Sequence, residues 1–438
     1  MLPYEKSTTC LFSCSVRTAR PPARKQWLFL LYRPITPAAV SRPTARKEKR
    51  MKTTHFLSLS LALVISLAGC APAQDSTAAG TSFTSLQQSS GWNYGGMGPD
   101  GFYFVSPDCR EDGSTNLMYL DYATMQQVYL CSQPNCSHDT DACTSHLPYS
   151  AGGILASVVG EQLVLVFPGN LQTSAGSGTE SVLPHIETMG LDGSNRKTTV
   201  TLGANQVLSR PLVTDGTFLY TRLDTTAEDG SFTAQLVRID PAGGEPEVLC
   251  PLNQEWLKGG AGARLILWDA EQTYVGYDPA TGERTDLYQA EDALIHSNLF
   301  GSTLAYLQDG VFHLMDLTTG EDKTLGGYQA KEADGTNISI LDADKDHLIF
   351  HLESAGSSDY YMLTADQTPQ PWGLLYSSGD TEMPYSRVTT VGTDQYLVIA
   401  GEDVPQTSEL ENSPYAVTGE RQYVLMPREE YWNGTAPK

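Results

Sequence analysis

Residues 298–325 read NLFGSTLAYLQDGVFHLMDLTTGEDKTL, and the spacing of apolar positions there sets the pattern for most of the chain. Short apolar or alternating runs are separated by turn signals at Gly301-Ser302, at Asp309-Gly310 and between Asp316 and Gly320. Alternation with period two, broken by Gly and Asp, marks half-buried strands joined by tight turns. The stretch is predicted to be a four-stranded antiparallel meander. Comparable units are read at 101–130, 154–192, 215–249, 265–288, 338–364 and 388–426, with no convincing amphipathic helix between them.

One turn recurs after the third strand of a unit: Asp240-Pro-Ala-Gly-Gly-Glu245, Asp278-Pro-Ala-Thr-Gly-Glu283 and Asp316-Leu-Thr-Thr-Gly-Glu321. Asp accepts backbone N–H bonds and starts the turn, Pro fixes the next φ, and Gly supplies φ > 0 before the chain re-enters a strand. An all-strand repeat of roughly 50 residues predicts radial repetition. The fold class expected is an all-β propeller of about seven four-stranded blades over residues 92–432, with a short tail at 433–438; six or eight blades also fit the spacing.

Charge divides the chain. Residues 1–50 hold 11 of the 28 Lys and Arg and two acids, Glu5 and Glu48; beyond Cys70 there are 16 bases against 49 acids. So acidic a surface repels phosphate backbones and disfavours nucleic acid as a partner. Met51 opens an export signal: Lys52 is the charged region, residues 56–67 (FLSLSLALVISL) the apolar region, and Leu67-Ala68-Gly69-Cys70 follows. The apolar run is short for a membrane span and fits a cleaved signal. Residues 1–50, basic and Pro-rich, lie upstream of this self-sufficient signal and are read as a mis-set translation start, disordered if translated. Residues 70–91, rich in Ala, Ser, Thr and Gln, are expected to form a flexible tether.

The sequence Leu67-Ala-Gly-Cys70 resembles the bacterial lipobox. That resemblance implies a signal peptide over 51–69, lipid attachment (palmitate among the acyl groups) at Cys70, and anchoring to the outer face of the cell membrane. The Asp-x-x-x-Gly-Glu hairpins resemble those of TolB-like and quinoprotein-like propellers, and the whole layout is similar to propeller lipoproteins of anaerobic Gram-positive bacteria. This implies a fold and an envelope address, and brings no catalytic residues.

The sharpest chemical cluster is Cys131-Ser-Gln-Pro-Asn-Cys136-Ser-His138-Asp-Thr-Asp-Ala-Cys143. Three thiols and an imidazole on one polar loop suit a tetrahedral Cys₃His metal site, with zinc as the first candidate. The spacing C-x4-C-x-H-x4-C is not that of a zinc knuckle. Export equally favours a disulfide-stapled loop, and Cys109 and Cys250 bring the thiols beyond Cys70 to an odd number. Both chemistries stay open at this point. Asp342-Ala-Asp344-Lys-Asp346 opens like a calcium loop but has His347 where Gly belongs, which favours a solvated turn. His347 and His351 share a strand face about 13 Å apart, too far to share a metal. Trp92, Trp256, Trp268, Trp372 and Trp432 suit either sugar stacking or packing between blades. No G-x-S-x-G, H-E-x-x-H or phosphate-cradling Gly loop occurs.

The function expected is a non-enzymatic, membrane-anchored, monomeric propeller that binds an extracellular glycan or protein. The alternative is an envelope hydrolase or lyase using carboxylates at the mouth of the central channel.

Overall fold

The computed structural model describes residues 82–86, 95–108, 110, 114–148, 154–169, 183–289, 297–326, 337–354, 357–365, 367–379, 381–402 and 421–435. The expected leader, the signal segment with Cys70, and Trp92 and Cys109 lie outside the described residues.

The strands form a seven-bladed β-propeller. The blades span 95–129, 155–201, 206–251, 256–289, 297–325, 337–371 and 386–427. Within each blade, consecutive strands pair antiparallel from the axis outward; in the fifth, Ser297–Phe300, Thr303–Gln308, Val311–Asp316 and Asp322–Leu325 follow in that order. The last blade departs from four strands: Ser386–Val391, Gln395–Glu402 and Arg421–Pro427 lead directly into a short helix, Arg428–Trp432. A hairpin of Leu375–Ser378 and Thr381–Pro384 precedes it.

Alternation along each strand feeds two different seams, because successive side chains leave opposite faces of a sheet. In Gly101–Val105, Tyr103 packs toward the second blade with Leu163 and Leu165, while Phe102 and Phe104 pack toward the seventh with Leu397 and Tyr423. Every neighbouring pair of blades shares such an apolar seam. The ring therefore closes by side-chain packing between first and last blades, aided by a hydrogen bond from Gln127 Nε2 to the Arg421 carbonyl (2.8 Å). The seam between sixth and seventh blades also carries a buried ion pair, Arg387 with Asp342, whose second oxygen accepts from the Tyr431 hydroxyl at 2.8 Å.

Strand direction sorts the connections. Each innermost strand starts on one face, and tight turns such as Gly160-Glu161, Gly262-Ala263 and Gly301-Ser302 return it; the Asp-led turns lie on that same far side. This is the turn face. The opposite loop face receives the second-to-third-strand connections and the links from blade to blade. The stretches 168–184 and 403–420 begin and end there, as their flanking strand ends show. The stretch 130–145 instead leaves and rejoins the outer edge of the first blade part-way along it, opposite Leu117 and Asn116.

The expected tether is docked in part. Thr84–Ser85 pairs antiparallel with Thr214 and Val213 on the innermost strand of the third blade. Phe83 N–H donates to the Gly262 carbonyl at 2.8 Å, and Leu86 N–H to the Leu212 carbonyl at 2.9 Å. Phe83 is buried in the seam between third and fourth blades, edge-on to Tyr220 with ring centroids 5.0 Å apart. Two glycines make the room: a Cβ on Gly260 would lie 2.6 Å from Phe83 Cβ, and one on Gly259 would lie 2.6 Å from Ser85 Oγ. Composition signalled a linker; the isolated Phe83 and Leu86 were enough apolar surface to seat it. The pairing direction makes the segment enter at the turn face, beside Gly262, and run toward the loop face.

Phe83→Ala is expected to cost about 3–5 kcal/mol of folding stability, the usual loss for a buried Phe, read as a lowered urea midpoint. An unchanged midpoint would show that the axial segment is not part of the folded unit.

Candidate functional site

Two features of the described residues carry chemistry: the Cys131–Cys143 loop and the cavity around the axis. The loop leaves the outermost strand of the first blade, Gln127–Tyr129, and returns as the short strand His146–Leu147, paired to Thr115 and Asn116. In between, Asn135 (φ 57°) and His138 (φ 60°) adopt the left-handed conformation, which Asn and His tolerate better than most side chains. These two positions fold the loop back on itself. Cys131 N–H donates to the Tyr129 carbonyl (2.7 Å), Cys143 N–H to the Thr140 carbonyl (2.9 Å) and Gln133 Nε2 to the Ala142 carbonyl (2.9 Å).

The result brings together all four residues singled out in the sequence. One ligand atom each from Cys131, Cys136, His138 and Cys143 lies within 4.8 Å of the other three. Among the described residues no other set of three or more Cys, His, Asp or Glu side chains converges in this way, although the chain is rich in acids. His138 Nδ1 is 3.3 Å from Cys143 Sγ. The four described cysteines, Cys250 included, are free thiols. Cys143 is buried and the other three cluster members are half-buried. Burial pushes the Cys143 thiol up to about 11. Burial also acts on Cys131, but hydrogen bonds from the Gln133 N–H and from Cys143, Cys136 and Thr144 outweigh it and lower that thiol.

The second layer was not readable from the sequence. Arg110 Nη2 and Asn116 Nδ2 both donate to the His138 carbonyl at 2.9 Å, and the imidazole stacks on Tyr129 with centroids 4.3 Å apart. Arg196 of the second blade donates to the Thr144 and His146 carbonyls at 3.1 and 2.6 Å while paired with Glu187 at 2.7 Å. The loop is thus clamped to two blades by side chains distant in sequence, for which local pattern gives no signal.

The remaining candidates separate. Asp342, Asp344 and Asp346 do not share a site: Asp342 pairs with Arg387, Asp344 accepts from Asp346 N–H and His347 N–H (both 2.9 Å), and Asp346 pairs with Lys323 (2.9 Å) and Lys345 (2.5 Å). His347 stacks on Trp432 and His351 on Tyr360. Trp372 and Trp432 are buried packing groups, whereas Trp256 is 43% exposed at the loop face. Its ring lies 3.7 Å from the guanidinium of buried Arg222, which is held by Asp224 at 2.6 Å, and Phe232 stands exposed nearby.

A cavity of about 260 Å³ lies beside the axial segment, against the innermost strands of the first, second, third and seventh blades. Its lining includes Thr84, Ser85, Gly96, Ser157, Thr214 and Thr389, with one carboxylate, Asp215. That carboxylate accepts from the N–H groups of Thr217 (2.9 Å) and Phe218 (2.8 Å) and from the Tyr220 hydroxyl (2.8 Å). The pair of free carboxylates that acid–base hydrolysis needs is not found among the described lining residues.

No family model and no curated protein matches the chain. Solved structures share the fold. A prolyl endopeptidase is 12% identical, with 80% of this chain and 50% of that one covered and a TM-score of 0.42; the present chain thus spans about half its length. An oligogalacturonate lyase from Vibrio parahaemolyticus is 13% identical over 65% of this chain and 91% of that one, TM-score 0.29. A TolB-type protein from Agrobacterium tumefaciens is 11% identical over 65% and 93%, TM-score 0.30. At these values the likeness says nothing of what this chain binds or does.

Arg110→Met removes a charged donor from the His138 carbonyl, a loss of about 1.5–3 kcal/mol. Opening of the loop, read as the rate at which a thiol reagent labels buried Cys143, is expected to rise about tenfold or more; an unchanged rate would mean the clamp does not hold the loop.

Proposed function

We propose that the protein is an envelope-anchored β-propeller that presents its loop face to an extracellular glycan or protein and performs no chemistry of its own. One observation carries this reading: the axial segment enters the ring at the turn face, while the inserted stretches 168–184 and 403–420 begin and end on the opposite face. A lipid on Cys70 would lie at most about 40 Å of extended chain before Ser82. It would hold the turn face toward the membrane and point the loop face away from it. Long connections on a rigid scaffold are where recognition is built. The exposed Trp256 and Phe232, backed by Arg222, offer an aromatic platform on that face for a sugar ring or an apolar side chain. The engaged state of Asp215 weighs against the hydrolase or lyase alternative.

Orientation is testable by energy transfer from a fluorophore on the ring to an acceptor dye in the lipid. A label at Thr281, in the turn Asp278–Glu283, is expected to transfer more efficiently than one at exposed Glu228, in the second-to-third-strand turn of the third blade. Equal or reversed efficiencies would overturn the orientation, and a Cys70→Ala protein that stays with the membrane would overturn the anchor.

On an array of envelope and host glycans, Trp256→Ala is expected to weaken wild-type binding at least about tenfold with folding unchanged. Binding untouched by the substitution removes the platform from the account, and cleavage of an arrayed glycan would replace binding with catalysis.

A further inference from the structure

We propose that Cys131, Cys136, His138 and Cys143 bind one zinc ion, which locks the inserted loop onto the outer edge of the first blade. The inference goes beyond the display reading and stands on separate observations. Tetrahedral zinc takes sulfur at about 2.3 Å and imidazole nitrogen at about 2.0–2.1 Å, so its ligand atoms are roughly 3.4–3.8 Å apart. The four donors here already lie within 4.8 Å of one another, with His138 Nδ1 and Cys143 Sγ at 3.3 Å. Closure onto an ion needs only small side-chain movements.

A disulfide explains the arrangement less well. It would use two of the three sulfurs, strand the third, and place no demand on an imidazole. The backbone instead spends a left-handed residue, His138 itself at φ 60°, on turning that ring into the sulfurs. Arg110 and Asn116, the second of them on the strand Thr115–Asp121, then fix its carbonyl, and Tyr129 stacks on the imidazole. Holding a ligating histidine from outside the first coordination layer is how proteins orient metal ligands. Charge agrees as well. Three thiolates and a histidine leave a zinc site with one net negative charge, and the Arg110 guanidinium, 2.9 Å from the His138 carbonyl, sits against it. The donor set is soft, three sulfurs and one nitrogen, which selects zinc over calcium or magnesium. All four positions are filled by protein, the pattern of a structural site with no open position for a substrate.

The ion would act at a distance from the loop tip. The loop ends in His146–Leu147, which pairs with Thr115–Asn116, and Leu147 is fully buried between first and second blades. Arg196 reaches across from the second blade to the Thr144 and His146 carbonyls. A clasp at Cys131–Cys143 therefore tightens a loop that bridges two blades.

The test uses the full chain purified anaerobically without added metal, with Zn²⁺ and Co²⁺ as probes. Elemental analysis should return one zinc per chain, and cobalt exchange should give the intense visible bands of a tetrahedral thiolate site. His138→Ala removes a ligand and should lower zinc affinity by more than the roughly 100-fold that loss of an outer-layer partner can cost, and change the cobalt spectrum. Cys143→Ser risks misfolding because that residue is buried, so the half-buried His138 is the deciding position. Metal absent from protein whose thiols titrate as free, a disulfide among the three cysteines of freshly isolated protein, or zinc bound equally well by His138→Ala would each overturn the proposal. None of these outcomes depends on ring orientation or on a ligand for the loop face.

Discussion

Each blade begins its innermost strand on one face, and that single constraint organises the molecule. In an antiparallel ladder the polarity of the first strand decides on which face every later connection falls. First-to-second-strand and third-to-fourth-strand turns gather on one side, where Asp and Gly satisfy them locally. Links that must climb from the outer strand of one blade to the axis of the next gather on the other. The stretches 168–184 and 403–420, both between second and third strands, fall on that second side as well, whereas the cysteine insertion interrupts the outermost strand of the first blade. The faces differ because the chain runs one way, before any particular side chain is considered.

The axial segment gives that asymmetry a direction in space. Ser82–Leu86 adds a strand to the inner edge of the third blade and reaches the fourth through Phe83 and Ser85, whose hydroxyl accepts from Gly260 N–H at 3.1 Å. An inner edge left bare would present unpaired N–H and C=O groups along the channel. Pairing part of it with the chain's own N-terminal stretch covers that edge and binds two blades together. The same contact fixes the side from which any anchor must approach.

Much of this was legible in the sequence. Period-two alternation and Asp-to-Gly turns marked the blades and put their number near seven, because both arise from local sterics and from the two faces of a strand. The cysteine loop was legible as a convergence of ligand types, since its four members sit close in the chain. What escaped was non-local or compositionally masked. The inner strand Trp256–Ala261 falls before the unit read at 265–288, because its two adjacent glycines weaken the strand pattern; Phe83 and Ser85 lie against them. Phe83 sits in a run of Ser and Thr that reads as linker. Arg110 and Arg196 reach carbonyls far along the chain, and Trp256 looks the same as the buried Trp372 until exposure separates them. The calcium-like triplet came apart for a related reason: each Asp found its own partner once the strands were paired.

The account rests on the axial segment being part of the ring, and amide hydrogen exchange of the full chain reads this directly. The Phe83 and Leu86 amides, bonded to Gly262 and Leu212, are predicted to exchange as slowly as those of the neighbouring strand Gln206–Thr214. Exchange at the rate of unstructured chain, with the blade strands still protected, would contradict it.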